Sequence, residues 1–210
     1  MDNETYKGYN IEVTSDMELE PWDPREWDNL GTMVCFHRNY SLGDKHDINT
    51  DEFSSLKEIA EHLIKVKGAC VILPLYLMDH SGISMSTGSF HCPWDSGQVG
   101  FIYATKEDIR KNFMIKNVTK EKKEHTERIL QGEVKTYDAY ISGQVYGYNI
   151  TDADGEEVER DHGYAYGYEW IKEMVDECKA IIDNDIIFKR KKSNDKLKVL
   201  IKNNVPLLCR

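Results

Sequence analysis

Residues 79–103 read "DHSGISMSTGSFHCPWDSGQVGFIY" and hold most of the unusual chemistry of the chain. Cys92, with His80 or His91 as base and Asp79 or Asp95 to orient it, supplies the residue types of a nucleophilic site. Such a set would serve a small hydrolase or transferase. Ser81 and Ser96 each precede Gly, and Ser96 follows Asp95, but neither lies in the Gly-x-Ser-x-Gly turn that exposes a catalytic serine. A bland reading explains the same composition. Asp, Ser and Gly are turn residues, because their short polar side chains bond nearby backbone groups. On that reading the stretch is strand, polar turn, short strand, polar turn, strand, with Asp79, His80, Asp95 and Ser96 pinning the turns. We favour it.

A metal site is the next chemistry to weigh. Cys35 and His37 are two apart in an apparent strand and would share a face. His46, His80, His91, Cys92 or Asp95 could complete a tetrahedron, but Cys-x-x-Cys and paired-His spacings are missing. The expectation is no metal and no cofactor, with Cys35 in the core and His37 at a polar pocket. "TDADGEEVE" resembles a calcium loop only superficially. Gly155 is the fourth residue from Asp152, whereas an EF-hand needs Gly sixth and Glu twelfth. Tyr146 and Tyr148 could face Tyr164, Tyr166 and Tyr168 across a hairpin, either stacking bases or forming cross-strand pairs. Walker, Gly-x-Gly-x-x-Gly and His-Glu-x-x-His motifs are absent from the sequence.

The elements that must carry these residues follow from periodicity. Strands are expected at 6–16, 31–40, 68–78 and 98–105, with Pro74 marking a bulge or a sheet edge. Phe53, Leu56, Ile59, Ala60, Leu63 and Ile64 recur at helical spacing, so an amphipathic helix is expected over about 52–66. Thr105 and Asp108 form a capping box ahead of "KEDIRKNF". A charged helix follows at about 119–132, then a hairpin over 143–168 turning at Asp154-Gly155. Trp170 to Ile182 makes a last amphipathic helix, and a short basic helix or tail ends the chain. "EPWDPREWDNLG" (20–31) reads as an ordered loop or a turn of helix. The fold class expected is α+β: one domain, a largely antiparallel sheet and three to four flanking helices.

With 210 residues, 40% apolar and 30% charged, the chain can bury a core without staples. Five scattered cysteines suit free thiols in a reducing cytosol. No basic start followed by an apolar run, and no run long enough to span a bilayer, is present in the sequence. The net charge of −10 is uneven. From Ile186 onward there are eight Lys or Arg and one acid, which sets an acidic region (1–185) apart from a basic segment (186–210). Lys189, Arg190, Lys191 and Lys192 could touch phosphate, while the acidic remainder repels nucleic acid.

Three stretches carry a resemblance: "MVCFHRNYSLGDKH", "VILPLYLMDHSGISMSTGSFHCPWDSGQVGFIYATKEDIRK" and "GEVKTYDAYISGQVYGYNITDADGEEVERDHGYAYGY". In order, from about residue 22 to 175, the chain resembles a family of small proteins encoded by tailed bacteriophages and mobile elements. "PLYLMDHSG" and "CPWDSGQVGFIY" are the most specific parts. The resemblance brings no catalytic residues with it. It implies a phage or prophage gene acting in the cytoplasm of a bacterial host. Accessory proteins of that kind bind host machinery, so the expected partner is a host protein or ribonucleoprotein complex, with inhibition of an antiviral defence effector (an anti-CRISPR or similar role) as the expected function. Trp22, Trp27 and Trp94 are the expected anchors, since aromatic side chains dominate interface energetics. A nucleic-acid-binding module and a homodimer are the alternatives.

Overall fold

The structure is a computed structural model that describes residues 3–15 and 21–202. Cys209 and Arg210 lie outside the described residues. The fold is mixed α+β, with four α-helices and two four-stranded antiparallel sheets among the described residues. The chain forms two compact units, Met1–Glu20 with Val145–Arg210, and Pro21–Gln144.

The first unit is built from the two ends of the chain. Strands β1 (Asn3–Tyr6) and β2 (Tyr9–Ser15) turn at Lys7-Gly8. They pair with the hairpin of β7 (Val145–Thr151) and β8 (Glu157–Tyr166) in the order β1-β2-β7-β8. Ile11, Val13, Tyr148 and Ile150 alternate onto one face and meet Met174, Cys178 and Ile182 of α4 (Ile171–Lys202). Each such side chain taken fully out of water stabilises by about 1.5–3 kcal/mol, so this stripe holds the helix on the sheet. The expected tyrosine pairs are formed: Tyr148 meets Tyr164 edge-on at 5.7 Å, and Tyr146 meets Tyr168 at 5.1 Å. Asp152 Oδ1 accepts from the backbone N–H of Asp154 and of Glu156, so "TDADGEEVE" is a hairpin turn.

Two expectations about this unit are corrected. The basic segment is not a separate short helix, because α4 runs unbroken for 32 residues through the charge boundary at 185/186. Nothing in 183–195 breaks a helix, as Gly and Pro are both absent there. The strand expected at 6–16 is two strands, because Gly8 supplies a positive φ for a tight turn inside it.

The second unit orders β3 (Thr32–Cys35), β6 (Ser96–Thr105), β4 (Ala69–Asp79) and β5 (Ile83–Ser86) side by side. One face packs Met33, Leu75, Leu77, Met85 and Ile102 against Ile109 of α2 (Lys106–Phe113) and Leu130, Val134 and Tyr137 of α3 (Lys120–Ile141). The other packs Val34, Phe101 and Tyr103 against Ile59 and Leu63 of α1 (Leu56–Lys65). The capping box forms as expected: Thr105 Oγ1 accepts from Asp108 N, and Asp108 Oδ2 accepts from Thr105 N. The register of β4 on β6 shifts between Leu75 and Tyr76, one residue beyond Pro74, and β5 pairs only with Tyr76–Asp79, so Pro74 lies beside a bulge on a stretch of β4 that pairs on one side alone among the described residues.

Strand β3 is shorter than the expected 31–40. It ends at Cys35, beside Gly100, where a side chain would run into the Val34 carbonyl. From Phe36 the chain leaves the sheet. Helix α3 runs nine residues beyond the expected 132 because Val134, Tyr137 and Ala139 continue its buried stripe.

Candidate functional site

Two loops lie at the same end of this second sheet, where β3 and β4 finish and β6 starts. The first is the 79–97 stretch. β5 forms inside it, giving the expected alternation of strand and turn. Asp79 N donates to the Asp95 carbonyl at 2.8 Å, and His80 N donates to the Gly82 carbonyl at 3.0 Å. Ser96 Oγ donates to the Cys92 carbonyl at 2.5 Å. The Asp95 carboxylate accepts from the Cys92 thiol at 3.4 Å, and His80 Nδ1 lies 3.1 Å from the same oxygen.

Cys92, Asp95 and His80 therefore come together, but with the carboxylate in the middle. For nucleophilic activation the imidazole has to stand next to the thiol so that it can take its proton. Here the thiol spends its hydrogen bond on Asp95 and the imidazole stands against the same carboxylate, not the thiol, with the His80 side chain 70% exposed. Asp79 is used elsewhere, its carboxylate accepting from the Tyr40 hydroxyl at 3.2 Å. His91 is exposed on the same loop. Between Cys92 and Asp95 the tied-down backbone lifts Trp94 into solvent, where it is 93% exposed. Trp22 and Trp27 are 77% and 44% exposed on the segment before β3.

The second loop, residues 36–46, was quiet in the sequence and is the more elaborately built. It encloses an open cleft of about 470 Å³, lined among others by Cys35, His37, Arg38, Tyr40, Lys45 and His46. A buried ionic group holds its base. The Arg25 side chain is 4% exposed and grips Asp44 with two bonds, Nε to Oδ1 at 2.9 Å and Nη2 to Oδ2 at 2.8 Å. It also donates to Glu133 at 3.2 Å and to the Gly31 carbonyl at 2.6 Å. Asp44 accepts from Met33 N, and Glu133 accepts from Leu30 N. Burial opposes the guanidinium charge, yet the two carboxylates raise its pKa above the ordinary value. Glu133 is shifted upward by the same burial, against the pull of the Leu30 N–H and Arg25.

At the turn itself Gly43 has φ +72°, and an added Cβ would stand 2.7 Å from the Met33 carbonyl oxygen. Its N–H donates to the buried Tyr137 hydroxyl, whose pKa burial pushes up to about 12. His46 Nε2 is 3.0 Å from the Cys35 carbonyl. The His37 and Tyr40 rings stack at 5.0 Å, and Asn39 N donates to His37 Nδ1.

The metal candidates are not assembled. Cys35 is buried, with its thiol pushed up to about 12 by desolvation. His37 lies beyond the end of β3 and does not share a strand face with Cys35 as expected. Among the described residues no group of three His, Cys, Asp or Glu is placed to hold a metal ion. In the basic segment, Lys189 is committed to the fold through ion pairs with Asp152 and Asp185, both at 2.9 Å. Arg190, Lys191 and Lys192 are exposed. Among the described residues no helix is long and apolar enough to cross a membrane.

Arg25, Asp44, Glu133 and Tyr137 were missed from sequence. Their partners lie up to 108 residues away, and none sits in a recognisable motif. No protein family matches the chain, and neither a curated protein nor a solved structure matches it.

Proposed function

We propose that this chain is a phage-encoded accessory protein of the host bacterial cytoplasm that binds and inhibits a host protein, of the class of nucleic-acid-targeting defence effectors. The resemblance to phage proteins supplies the setting. The observation that carries the binding step is Trp94, a large aromatic side chain 93% exposed on a loop whose backbone is fixed on both sides by hydrogen bonds. Leaving that much apolar surface in water is unfavourable by itself, and a preorganised Trp is the kind of anchor that carries binding energy. The test compares wild type with Trp94→Ala in a pull-down from phage-susceptible bacterial lysate, with and without nuclease, alongside phage growth. The expected result is one host protein retained in both conditions by the wild type and lost, together with the growth advantage, in the variant. Retention that vanishes with nuclease would move the reading to nucleic acid bound at Arg190–Lys192. Retention and growth unchanged in Trp94→Ala would overturn the anchor.

A small hydrolase or transferase is the second reading, favoured by Cys92 and His80 both standing against the Asp95 carboxylate. Full phage-growth activity in Cys92→Ala would end it.

A further inference from the structure

We propose that the 35–46 cleft is a binding site for a phosphate ester that carries a planar group, the anion lying between Arg38 and Lys45 and the planar group against the Tyr40–His37 ring pair. The charge pattern is the first support. The chain has 37 acids against 27 Lys and Arg, so a surface cation has ample carboxylates to pair with. Arg38 and Lys45 nevertheless both line this concave site without an ion pair among the described residues. The carboxylates flanking Lys45 in sequence, Asp44 and Asp47, and the one bonded to Tyr40, Asp79, are occupied. Asp44 is held by Arg25 and by the Met33 N–H. Asp79 accepts from Tyr40, and Asp47 is paired with Lys67 at 2.9 Å. Two like charges kept in one cleft repel each other, and an anionic ligand relieves that repulsion. Arg presents a planar fork of donors that matches a phosphate, and Lys adds a point charge.

The second support is the aromatic wall. The His37 and Tyr40 rings stack on one another nearly parallel, 16° apart, so each covers one face of the other, and both residues line the same cleft as the two cations. A face of that kind stacks nucleobases whatever their identity. The third is construction. The loop is held from beneath by Arg25, Glu133 and Tyr137, so the cleft keeps its shape without ligand and less ordering is lost on binding. Its volume of about 470 Å³ falls within the range of small-molecule sites.

The test is titration of the full chain with adenosine monophosphate, inorganic phosphate, adenosine and, at matched ionic strength, sulfate. Binding is followed by backbone amide NMR shifts. The expected result is saturable binding of the monophosphate, with shifts centred on residues 36–46, and affinities at least tenfold weaker for adenosine and for phosphate alone. The double variant Arg38→Gln/Lys45→Gln should weaken the monophosphate at least tenfold while its thermal midpoint stays at the wild-type value. Tyr40→Ala should bring the monophosphate down to the affinity of phosphate. No saturation by about 10 mM, a range where binding free energy is negligible, would overturn the site. So would saturation that the double variant leaves unchanged.

Discussion

The two loops at the end of the second sheet are opposites. The 79–97 loop is rich in Cys, His and Asp, and its second turn supports itself: Asp95 serves Cys92, His80 and the Asp79 N–H, while the Asp79 carboxylate goes to Tyr40 and Asp138 of α3 braces β5. The 36–46 loop is ordinary in composition, and its base is organised by groups borrowed from elsewhere, Arg25 before β3 and Glu133 and Tyr137 on α3. Borrowed support frees the loop's own polar side chains to face outward. Self-support uses them up and leaves only what cannot bond locally, which is Trp94. Composition therefore points toward chemistry in the first loop, while the capacity to hold a ligand accumulates in the second.

The largest test of this contrast is Arg25→Ala. It strands two partly buried carboxylates, and breaking a buried pair in this way costs about 3–5 kcal/mol. Urea unfolding should report a loss of that size, and a loss below about 1 kcal/mol would show that the 36–46 loop is not held from beneath. Next comes Gly43→Ala, which combines a left-handed backbone with a close approach to the Met33 carbonyl; about 1–3 kcal/mol is expected in the same measurement. Asp95→Ala removes exposed, local bonds only and should cost about 1 kcal/mol. If Asp95→Ala proves as damaging as Arg25→Ala, the distinction between the loops fails.

The smallest effect is on thiol chemistry. Burial holds Cys35 and Cys178 up to about 12, so both stay protonated through pH 10 in the native state, whereas an unfolded thiol ionises near 8.5. Peptide-mapped alkylation at pH 8 should therefore label Cys92 and spare Cys35 and Cys178. The sign for stability follows: the unfolded chain loses these protons first, so their contribution is full below about pH 8.5 and declines as pH rises toward 12. Native labelling of Cys35 as fast as Cys92 would contradict its burial under the cleft.

Much of the fold could be read from local patterns. The capping box at Thr105–Asp108, the hairpin at Asp154-Gly155, the α1 stripe and the bulge at Pro74 all depend on neighbours within a few residues, and all are present. The turns of 79–97 were legible for the same reason. What escaped was non-local. The base of the 36–46 loop is held by a cation more than a hundred residues from one of its partners, and no local pattern announces that tie. The extent of α3 and α4 escaped for other reasons: the α3 stripe continues at Val134, Tyr137 and Ala139, whereas α4 runs past its last buried residue, Ile182, through a charged segment with no buried stripe to read.

The first sheet joins segments from opposite ends of the chain: Val13 pairs with Tyr148, and the Tyr6 hydroxyl reaches Asp183 across 177 positions. The second unit is contiguous. During synthesis, then, the 21–144 unit is complete once its own residues have emerged, while β2, paired with β1 alone, must wait until β7 and α4 have been made. Closing such a long loop raises the entropic barrier and slows folding. For that interval the β1–β2 hairpin carries open hydrogen-bonding edges and a bare apolar face of Ile11 and Val13, a template for wrong pairing. The period of greatest exposure to misassembly thus falls before β7 appears, and it belongs to β1 and β2.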